Sequence, residues 1–323
     1  MPSRYLSQGK ADRTYEELVD MMKKSEYEYD FDLIDKAYRC ALEAHKEQKR
    51  RSGIPYIVHP VSVACILVEL GMDNESVTAA LLHDVVEDTD VPLETIRKEF
   101  GEDVANLTDG VTKLGRIPYS SREEQQAENL RKMLIAMSED IRVIIIKLAD
   151  RLHNMRTIEF MPEQKRRDKS LENMEVYAPI AHRLGIRAIK EELEDRSLRY
   201  LDPVAYQEIE EALKMKEADR EVFINSIKER ILERVSPLIP NVYLEGRVKS
   251  INGIYRKVFV NGRSMEEIYD IYAVRVIVDT VNDCYNVLGI IHDTFRPLPN
   301  RFKDYISTPK PNMYQSLHTT VIG

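Results

Sequence analysis

Apolar residues recur at helical spacing along most of the chain up to about residue 235. A period near 3.6 residues is typical of amphipathic helices. The predicted helices are 15–24, 32–49, 60–70, 75–88, 93–100, 123–137, 141–155, 162–177 and 204–235. Gly71 follows one of them, and Pro203 stands in the first turn of another, where these residue types are favoured. The pattern therefore predicts an all-α region.

The pattern changes after the proline-containing segment 236–240. Two apolar runs there, 242–249 and 268–279, predict strands, and a third predicted strand is 316–322. Helix-like segments at 251–260 and 281–295 lie between them, and this alternation favours an α/β or α+β domain. The predicted fold class is multidomain α plus α/β. We expect an all-α domain at 1–161, a helical connector at 162–235 and a mixed-sheet domain at 236–323.

The composition is that of an ordinary soluble globular protein. Its 323 residues are 43% hydrophobic and 32% charged, which is enough chain for two separate cores. The first residues do not resemble a signal peptide, and no apolar run is long enough to cross a membrane. Cys40, Cys65 and Cys284 are scattered, which favours reduced thiols over a disulfide framework. We therefore expect a cytoplasmic protein without membrane association.

The net charge of −8 is unevenly distributed. Residues 241–323 contain ten Lys or Arg and eight Asp or Glu residues, a charge of +2, so the remainder carries −10. An acidic region suits a cation site, and a mildly basic one suits a phosphate ligand, although most individual charges are better explained as solvated surface. No long basic stripe is present, so we do not expect direct nucleic-acid binding.

The predicted helix 75–88 concentrates polar side chains on one side. At about 100° per residue, an imidazole and three carboxylates share that side, and Leu82, Val85 and Val86 face the other. The polar residues are His83, Asp84, Glu87 and Asp88. Crowded carboxylates repel one another unless a cation neutralises them. The pattern therefore indicates a metal-dependent site.

Two other segments contain residues that could complete such a site. His59 precedes Pro60, and Asp150 follows an apolar run and forms an i,i+4 pair with Asn154. Taken singly, His59 could be a structural histidine and Asp150 a solvated or paired carboxylate. Together with His83 and Asp84 they form a set of two histidines and two carboxylates, which suits Mn²⁺ or Fe²⁺ better than structural zinc. His153 lies about 60° from Asp150 on the helix, so we do not expect it to be a ligand.

The order of these residues resembles the H…HD…D pattern of the HD-domain metal phosphohydrolases. The runs 83–88 (HDVVED) and 149–157 (ADRLHNMRT) closely resemble the RelA/SpoT homologue family, whose members make and degrade the alarmone (p)ppGpp in the stringent response. The segment 50–53 (RRSG) also resembles the family's loop ahead of the first histidine. The resemblance covers about residues 29–323.

The resemblance implies a role for each residue of the first site. Hydrolysis would remove the 3′-pyrophosphate of (p)ppGpp and give GDP or GTP. The implied Mn²⁺ ligands are His59, His83, Asp84 and Asp150. Glu87 and Asp88 would orient or deprotonate the attacking water. Arg50 would stack on the guanine, and the residues implied to help hold the nucleotide are Ser52, Asn154 and Thr157.

The second domain is less informative without the resemblance. Basic residues near Asp270 suit a phosphorylated ligand, but a solvated basic face explains them equally well. The resemblance implies a nucleotidyltransferase-like synthetase that transfers pyrophosphate from ATP to GDP or GTP. Asp270 would bind Mg²⁺, and the implied nucleotide contacts are Arg247, Lys249, Lys257, Tyr314 and His318. Residues 301–304 (RFKD) resemble the form found in bifunctional members.

The family's second acidic residue of the synthetase site lies beyond Gly323. We therefore expect this chain to be a C-terminally truncated fragment that does not synthesise alarmone, although its full-length parent should. A ribosome could be bound only through regions outside the chain. Two alternatives to (p)ppGpp hydrolysis stay open: an HD phosphohydrolase acting on a dNTP or cyclic nucleotide, and a non-catalytic alarmone sensor.

Overall fold

The computed structural model describes residues 11–115, 139–214, 217–265, 268, 271–310 and 313–322. The predicted helix 123–137 and Asp270 lie outside these ranges. The chain divides into two compact units, residues 1–201 and 202–323. The boundary between the two units lies within the expected connector 162–235, whose first part belongs to unit 1 and whose second part belongs to unit 2.

The regular elements described in unit 1 are helices and helical turns, as the periodicity predicts. Its helices are α1 (Tyr15–Lys24), α2 (Phe31–Ala44), α3 (Val58–Glu69), α4 (Asn74–Leu82), α5 (Val85–Asp88), α6 (Leu93–Phe100), α7 (Glu102–Gly115), α8 (Ile141–Arg156), α9 (Glu163–Glu172), α10 (Ala178–Arg183) and α11 (Arg187–Leu201). A 3₁₀ turn (Ile158–Phe160) follows α8, and a π-helical turn (Asn173–Tyr177) joins α9 to α10.

Helix α3 forms the centre of unit 1. Its residues 59–68 are all buried, and a helix that is apolar on every side belongs inside a domain. Helices α1, α4 and α8 pack against α3, and α11 packs on α8. Side chains of Asp73 and Asp140 cap the first turns of α4 and α8, which fixes where these two helices begin. The helices that carry the candidate metal ligands therefore meet in one core.

The predicted helix 75–88 is interrupted, which corrects the continuous helical face drawn from the sequence. Helix α4 ends at Leu82 and α5 begins at Val85. The backbone of Asp84 has ψ −12°, outside the regular helical range, and the His83 ring bonds back to the Ala80 carbonyl oxygen. The break lets His83 and Asp84 both approach α3 instead of following one helical face.

Unit 2 combines helices with short strands. Its elements are α12 (Pro203–Lys214), α13 (Glu217–Val235), β1 (Tyr243–Val248), α14 (Ile251–Tyr255), a π-helical turn (Arg256–Val260), β2 (Tyr272–Ile277), α15 (Val281–Thr294), β3 (Arg296–Pro297), β4 (Lys303–Asp304), β5 (Leu317–His318) and β6 (Val321–Ile322). The predicted strand 316–322 is thus two short strands, and the run 268–279 becomes regular only at Tyr272.

Every strand pair in the described part of unit 2 is antiparallel. Strand β1 pairs with β2 in the register Tyr243↔Ile277, β3 with β6, and β4 with β5. Helix α13 packs on β1 and β2, and its Ile231 and Val235 share a core with Val287 of α15. The described pairs therefore show the expected combination of helices and sheet without a parallel pair.

Among the described residues, no helix is both long enough and apolar enough to cross a bilayer.

Candidate metal centre

Three helical segments of unit 1 bring two imidazoles and two carboxylates together. His59 lies in the first turn of α3, His83 and Asp84 between α4 and α5, and Asp150 in α8. The His59 Nε2 atom lies 3.3 Å from Asp150 Oδ1 and 3.5 Å from Asp84 Oδ2, and His83 Nε2 lies 3.1 Å from Asp84 Oδ1. Potential ligand atoms of His59, His83 and Asp150 all lie within 4.8 Å of one another.

The His83 ring presents a nitrogen that no hydrogen bond satisfies. Its Nδ1 lies 2.7 Å from the Ala80 carbonyl oxygen, so Nδ1 carries the proton and donates. In the neutral ring Nε2 then carries a lone pair, and this buried atom has no hydrogen-bond partner among the described residues. Leaving a buried polar atom unsatisfied is costly, whereas a metal ion would use that lone pair. The donor set therefore fits a divalent cation.

The protonation states also suit metal binding. Burial lowers the pKa of His59 to about 4, so its imidazole is neutral at pH 7. Burial alone would raise the pKa of Asp150, but the nearby Lys147 and His59 hold it well below the usual value. Asp84 behaves in the same way, because attraction from His83 and His59 outweighs its burial and lowers its pKa. Neutral imidazole and ionised carboxylate are the forms that bind metals.

Lys147, which the sequence analysis did not select, pairs with a candidate ligand. Its Nζ lies 2.8 Å from Asp150 Oδ2, and the side chains are 15% and 8% exposed. The side-chain amide of Asn154 donates to Asp150 Oδ1 at 2.5 Å. Both oxygens of Asp150 therefore have fixed partners, which orients the carboxylate. Lys147 and Asp150 are three residues apart on α8, a spacing that could have predicted the pair.

Tyr56 is a second side chain that the sequence analysis missed. Its hydroxyl donates to Asp84 Oδ2 at 2.8 Å and also lies 3.2 Å from Asp88 Oδ2. Burial and the charge of Asp84 raise the pKa of Tyr56, so the hydroxyl keeps its proton. The ring of His45 packs against that of Tyr56, with centroids 4.7 Å apart. Tyr56 thus connects a candidate metal ligand with a candidate water-orienting carboxylate.

His153 lies behind His59. The two Nδ1 atoms are 2.8 Å apart, and both rings are buried. The His153 Nε2 atom lies 3.5 Å from Asp12 Oδ1, in the segment that precedes α1. The group of potential ligand atoms formed by His59, His83 and Asp150 does not include His153. It contacts a candidate ligand instead.

The expected nucleotide contacts cluster next to Asp150. The Arg50 Nη2 atom donates to Asn154 Oδ1 at 3.0 Å and to Thr157 Oγ1 at 3.1 Å. The guanidinium carbon lies 5.8 Å from the centre of the Tyr56 ring. Ser52 is half-buried in the turn after Arg50. The structure therefore brings Arg50, Asn154 and Thr157 together at the edge of the metal centre.

The remaining expected residues of unit 1 lie in α5. Glu87 is half-buried and Asp88 is exposed, one turn beyond the His83-Asp84 break. The amide of Gln48 donates to the Asp88 backbone carbonyl at 2.9 Å. This bond ties α5 to the loop that carries Arg50.

In unit 2 the described residues include only part of the expected site. Asp270 and the side chain of Arg247 lie outside the described residues. Lys249 follows β1 and Lys257 lies in the π-helical turn, both half-buried. The Tyr314 hydroxyl and His318 Nε2 are 3.0 Å apart, so these two residues are adjacent. The Lys310 Nζ atom lies 5.1 Å from the centre of the Tyr314 ring, which adds a cation to this group.

Two protein families match the chain. Residues 37–187 match the family described as HD domain, and residues 246–323 match the region found in RelA/SpoT proteins. The first range contains all four candidate metal ligands, and the second begins in β1. The family assignments and the geometry of unit 1 thus agree on the location of the site.

Curated relatives match nearly the whole chain. A probable guanosine-3′,5′-bis(diphosphate) 3′-pyrophosphohydrolase from Synechocystis sp. is 49% identical over 90% of this chain and 38% of its own length. A protein of that name from Aquifex aeolicus is 48% identical, over 93% and 43%. A GTP pyrophosphokinase from Streptomyces coelicolor is 48% identical, over 90% and 34%. The chain thus spans about two fifths of these relatives.

The order of the two matched regions is informative in itself. An HD domain alone occurs with many substrates, so its fold does not identify a reaction. Here it precedes the RelA/SpoT region on one chain, and the relatives share this whole stretch at nearly half identity. The chain therefore combines an HD domain with the region found in RelA/SpoT proteins.

Proposed function

We propose that unit 1 hydrolyses the 3′-pyrophosphate of (p)ppGpp, giving GDP or GTP and pyrophosphate. One observation carries the proposal: a buried pair of imidazoles and a pair of carboxylates converge beside the Arg50–Asn154–Thr157 cluster. The names of the Synechocystis and Aquifex relatives support the choice of substrate. We expect the activity to serve the stringent response.

The proposed metal ligands are His59, His83, Asp84 and Asp150, with Mn²⁺ as the metal. Nitrogen and carboxylate ligands together suit this ion. When bound, it would lower the pKa of a water molecule and offset negative charge on the phosphate. The Nε2 lone pair of neutral His83 and the ionised Asp150 carboxylate would both be available to the ion.

Glu87 and Asp88 are proposed to orient and deprotonate the attacking water. Both lie on α5, directly after the Asp84 ligand. The Tyr56 hydroxyl has one proton and two carboxylate neighbours, Asp84 and Asp88. The Tyr56 hydroxyl therefore lies between these two carboxylates. Because it has a single proton, it can donate to only one of them at a time. This arrangement supports the proposal, because general base catalysis requires a proton acceptor near the attacking water.

Arg50 is proposed to stack on the guanine base, and Ser52, Asn154 and Thr157 to help hold the nucleotide. Asn154 and Thr157 both accept hydrogen bonds from the Arg50 guanidinium, so its plane is fixed. A planar guanidinium offers a flat, weakly hydrated face to an aromatic ring. A guanidinium that is already held in place loses less conformational entropy on stacking than a mobile one.

For the longer protein we propose synthesis of (p)ppGpp by pyrophosphate transfer from ATP to GDP or GTP. Asp270 would bind Mg²⁺, and Arg247, Lys249 and Lys257 would contact ATP. Tyr314 and His318 would form the guanine pocket, which their 3.0 Å contact supports. The match of residues 246–323 to the RelA/SpoT region and the name of the Streptomyces relative also support this proposal.

The decisive experiment measures pyrophosphate release from ppGpp with Mn²⁺ and then with EDTA. We expect release that stops with the chelator and that is absent in Asp84→Ala. Asp20→Ala is the matched control, because Asp20 forms only an exposed pair with Lys24. Full activity in Asp84→Ala would overturn the ligand assignment. Faster turnover of dGTP than of ppGpp would favour another HD phosphohydrolase, and tight ppGpp binding without turnover would favour a sensor.

A further inference from the structure

We propose that His153 positions the metal ligand His59 by accepting a hydrogen bond from its Nδ1, and that Asp12 completes this chain. The inference rests on the proposed metal site and adds residues outside its ligand set. Its basis is a continuous line of contacts: His59 Nδ1 to His153 Nδ1 at 2.8 Å, and His153 Nε2 to Asp12 Oδ1 at 3.5 Å.

The orientation of His59 fixes where its proton must be. Its Nε2 lies between Asp150 Oδ1 and Asp84 Oδ2, so this nitrogen faces the metal position. A metal ion binds the lone pair of a neutral imidazole, so the proton of bound His59 must be on Nδ1. That proton needs an acceptor, because His59 is buried at 2% exposure.

His153 is the acceptor at hand. Two ring nitrogens 2.8 Å apart share one proton, so His153 Nδ1 must present a lone pair when His59 Nδ1 donates. The proton of neutral His153 is then on Nε2, the atom that faces Asp12. Metal-bound histidines commonly have such an outer partner, which fixes the ring orientation and the tautomer. Here the partner is a second histidine, whose own tautomer depends on a carboxylate.

The structure anchors the segment that supplies Asp12. The Arg13 backbone amide donates to Ser62 Oγ at 2.9 Å, and the Arg13 guanidinium lies 3.7 Å from Glu69. Ser62 and Glu69 both lie in α3, the helix that carries His59. Residues 12–13 therefore lie along α3 and bring Asp12 to His153. The nearby His153 lowers the pKa of Asp12, which keeps its carboxylate ionised.

The contacts of His59 with His153 and of His153 with Asp12 can be tested through the Mn²⁺ affinity of the full chain. This affinity is measured from the EPR signal of free Mn²⁺. We expect His153→Leu to weaken affinity by about 10- to 100-fold, as losses of such outer partners do. His153→Asn retains an acceptor and should recover most of that loss. Asp12→Ala should cost less than about tenfold, because water can replace a half-exposed carboxylate. His182→Leu, at an exposed histidine of the same unit, is the control and should leave affinity unchanged.

A nitrogen NMR spectrum reports the histidine tautomers directly. It uses the wild-type protein, so it does not require any variant to fold. In ¹⁵N-histidine-labelled protein loaded with diamagnetic Zn²⁺, we expect His59 protonated on Nδ1 and His153 on Nε2. A proton on His153 Nδ1, wild-type Mn²⁺ affinity in His153→Leu, or equally weak binding in His153→Asn and His153→Leu would each overturn the proposal. None of these measurements uses ppGpp, so a failure of the proposed hydrolysis can be distinguished from a failure of the His153 proposal.

Discussion

Replacing Lys147 with methionine should destabilise metal-free unit 1 by about 3–5 kcal/mol, the usual cost of breaking a buried ion pair. The Lys147 Nζ atom lies 2.8 Å from Asp150 Oδ2, and both side chains are largely shielded from water. Burial alone would lower the pKa of Lys147, but attraction from Asp150 raises it, so the lysine is charged. Methionine keeps most of the apolar stem and leaves Asp150 without its cation.

The expected change is large enough to measure by thermal unfolding. For a domain of 150–250 residues, 1 kcal/mol changes the melting temperature by about 2–4 °C, so the loss is about 6–20 °C. A bound divalent cation would itself compensate the charge of Asp150. The difference between wild type and Lys147→Met should therefore become smaller when Mn²⁺ is saturating. Lys46→Met is the matched control, since its pair with Glu43 is exposed and is worth at most about 1 kcal/mol.

The assay is thermal unfolding of wild type, Lys147→Met and Lys46→Met, each in EDTA and in Mn²⁺. The double variant Lys147→Met/Asp150→Asn adds a second test, because a neutral amide no longer needs the cation and should restore part of the lost stability. Equal losses for Lys147→Met and Lys46→Met in EDTA would refute the reasoning. A loss for Lys147→Met that is the same with and without Mn²⁺ would refute the electrostatic explanation.

Three further outcomes are expected. Because the pKa of His59 is 6.5 in the unfolded chain and about 4 when folded, the unfolded chain binds a proton that the folded protein excludes. Stability of the metal-free protein should thus rise by roughly 3 kcal/mol from pH 4 to 6.5 in urea unfolding, and a flat profile would contradict this. Tyr56→Phe should lower ppGpp turnover by about 10- to 100-fold through loss of one hydrogen bond to the charged Asp84, with little change in melting temperature. Arg156→Met leaves Glu192 buried and should cost about 3 kcal/mol in urea unfolding, near the lower limit for such pairs, because Arg196 still contacts Glu192.

The helices of unit 1 could be predicted because their stability comes from apolar periodicity. The predicted ranges 15–24 and 93–100 match α1 and α6 in full, and both helices have one buried apolar stripe. The range 75–88 failed for a physical reason. Periodicity indicates only which side of a helix is apolar. The apolar pattern continues through residues 85 and 86, although the first helix has already ended at Leu82. The interruption depends on where His83 and Asp84 find partners, which local sequence does not contain.

The candidate ligands could be selected from the sequence, but not all of the side chains that contact them could be. His59, His83, Asp84 and Asp150 are chemically distinctive residues in a recognisable order. Tyr56 contacts Asp84, which lies 28 positions away in the sequence, and Asp12 contacts His153, which lies 141 positions away. No local sequence pattern encodes contacts at such separations. Lys147 and His153 differ, because both lie three residues from Asp150 on α8. Their helical spacing was visible in the sequence, and only their burial was not.

Helix α8 also connects the candidate metal centre with the helices between residue 161 and Leu201. One side of the helix carries Asp150, next to His59. From the same helix, Arg151 donates to Glu172 at 2.9 Å and to the Tyr177 hydroxyl at 2.8 Å.

Farther along α8, Arg156 forms a buried pair with Glu192 of α11 at 2.7 Å. Breaking such a pair is costly, so α8 cannot shift freely relative to α9, the π-helical turn and α11. A displacement of those segments must either break these ion pairs or move Asp150 relative to His59. The position of the candidate metal centre is therefore coupled to the positions of the helices after residue 161.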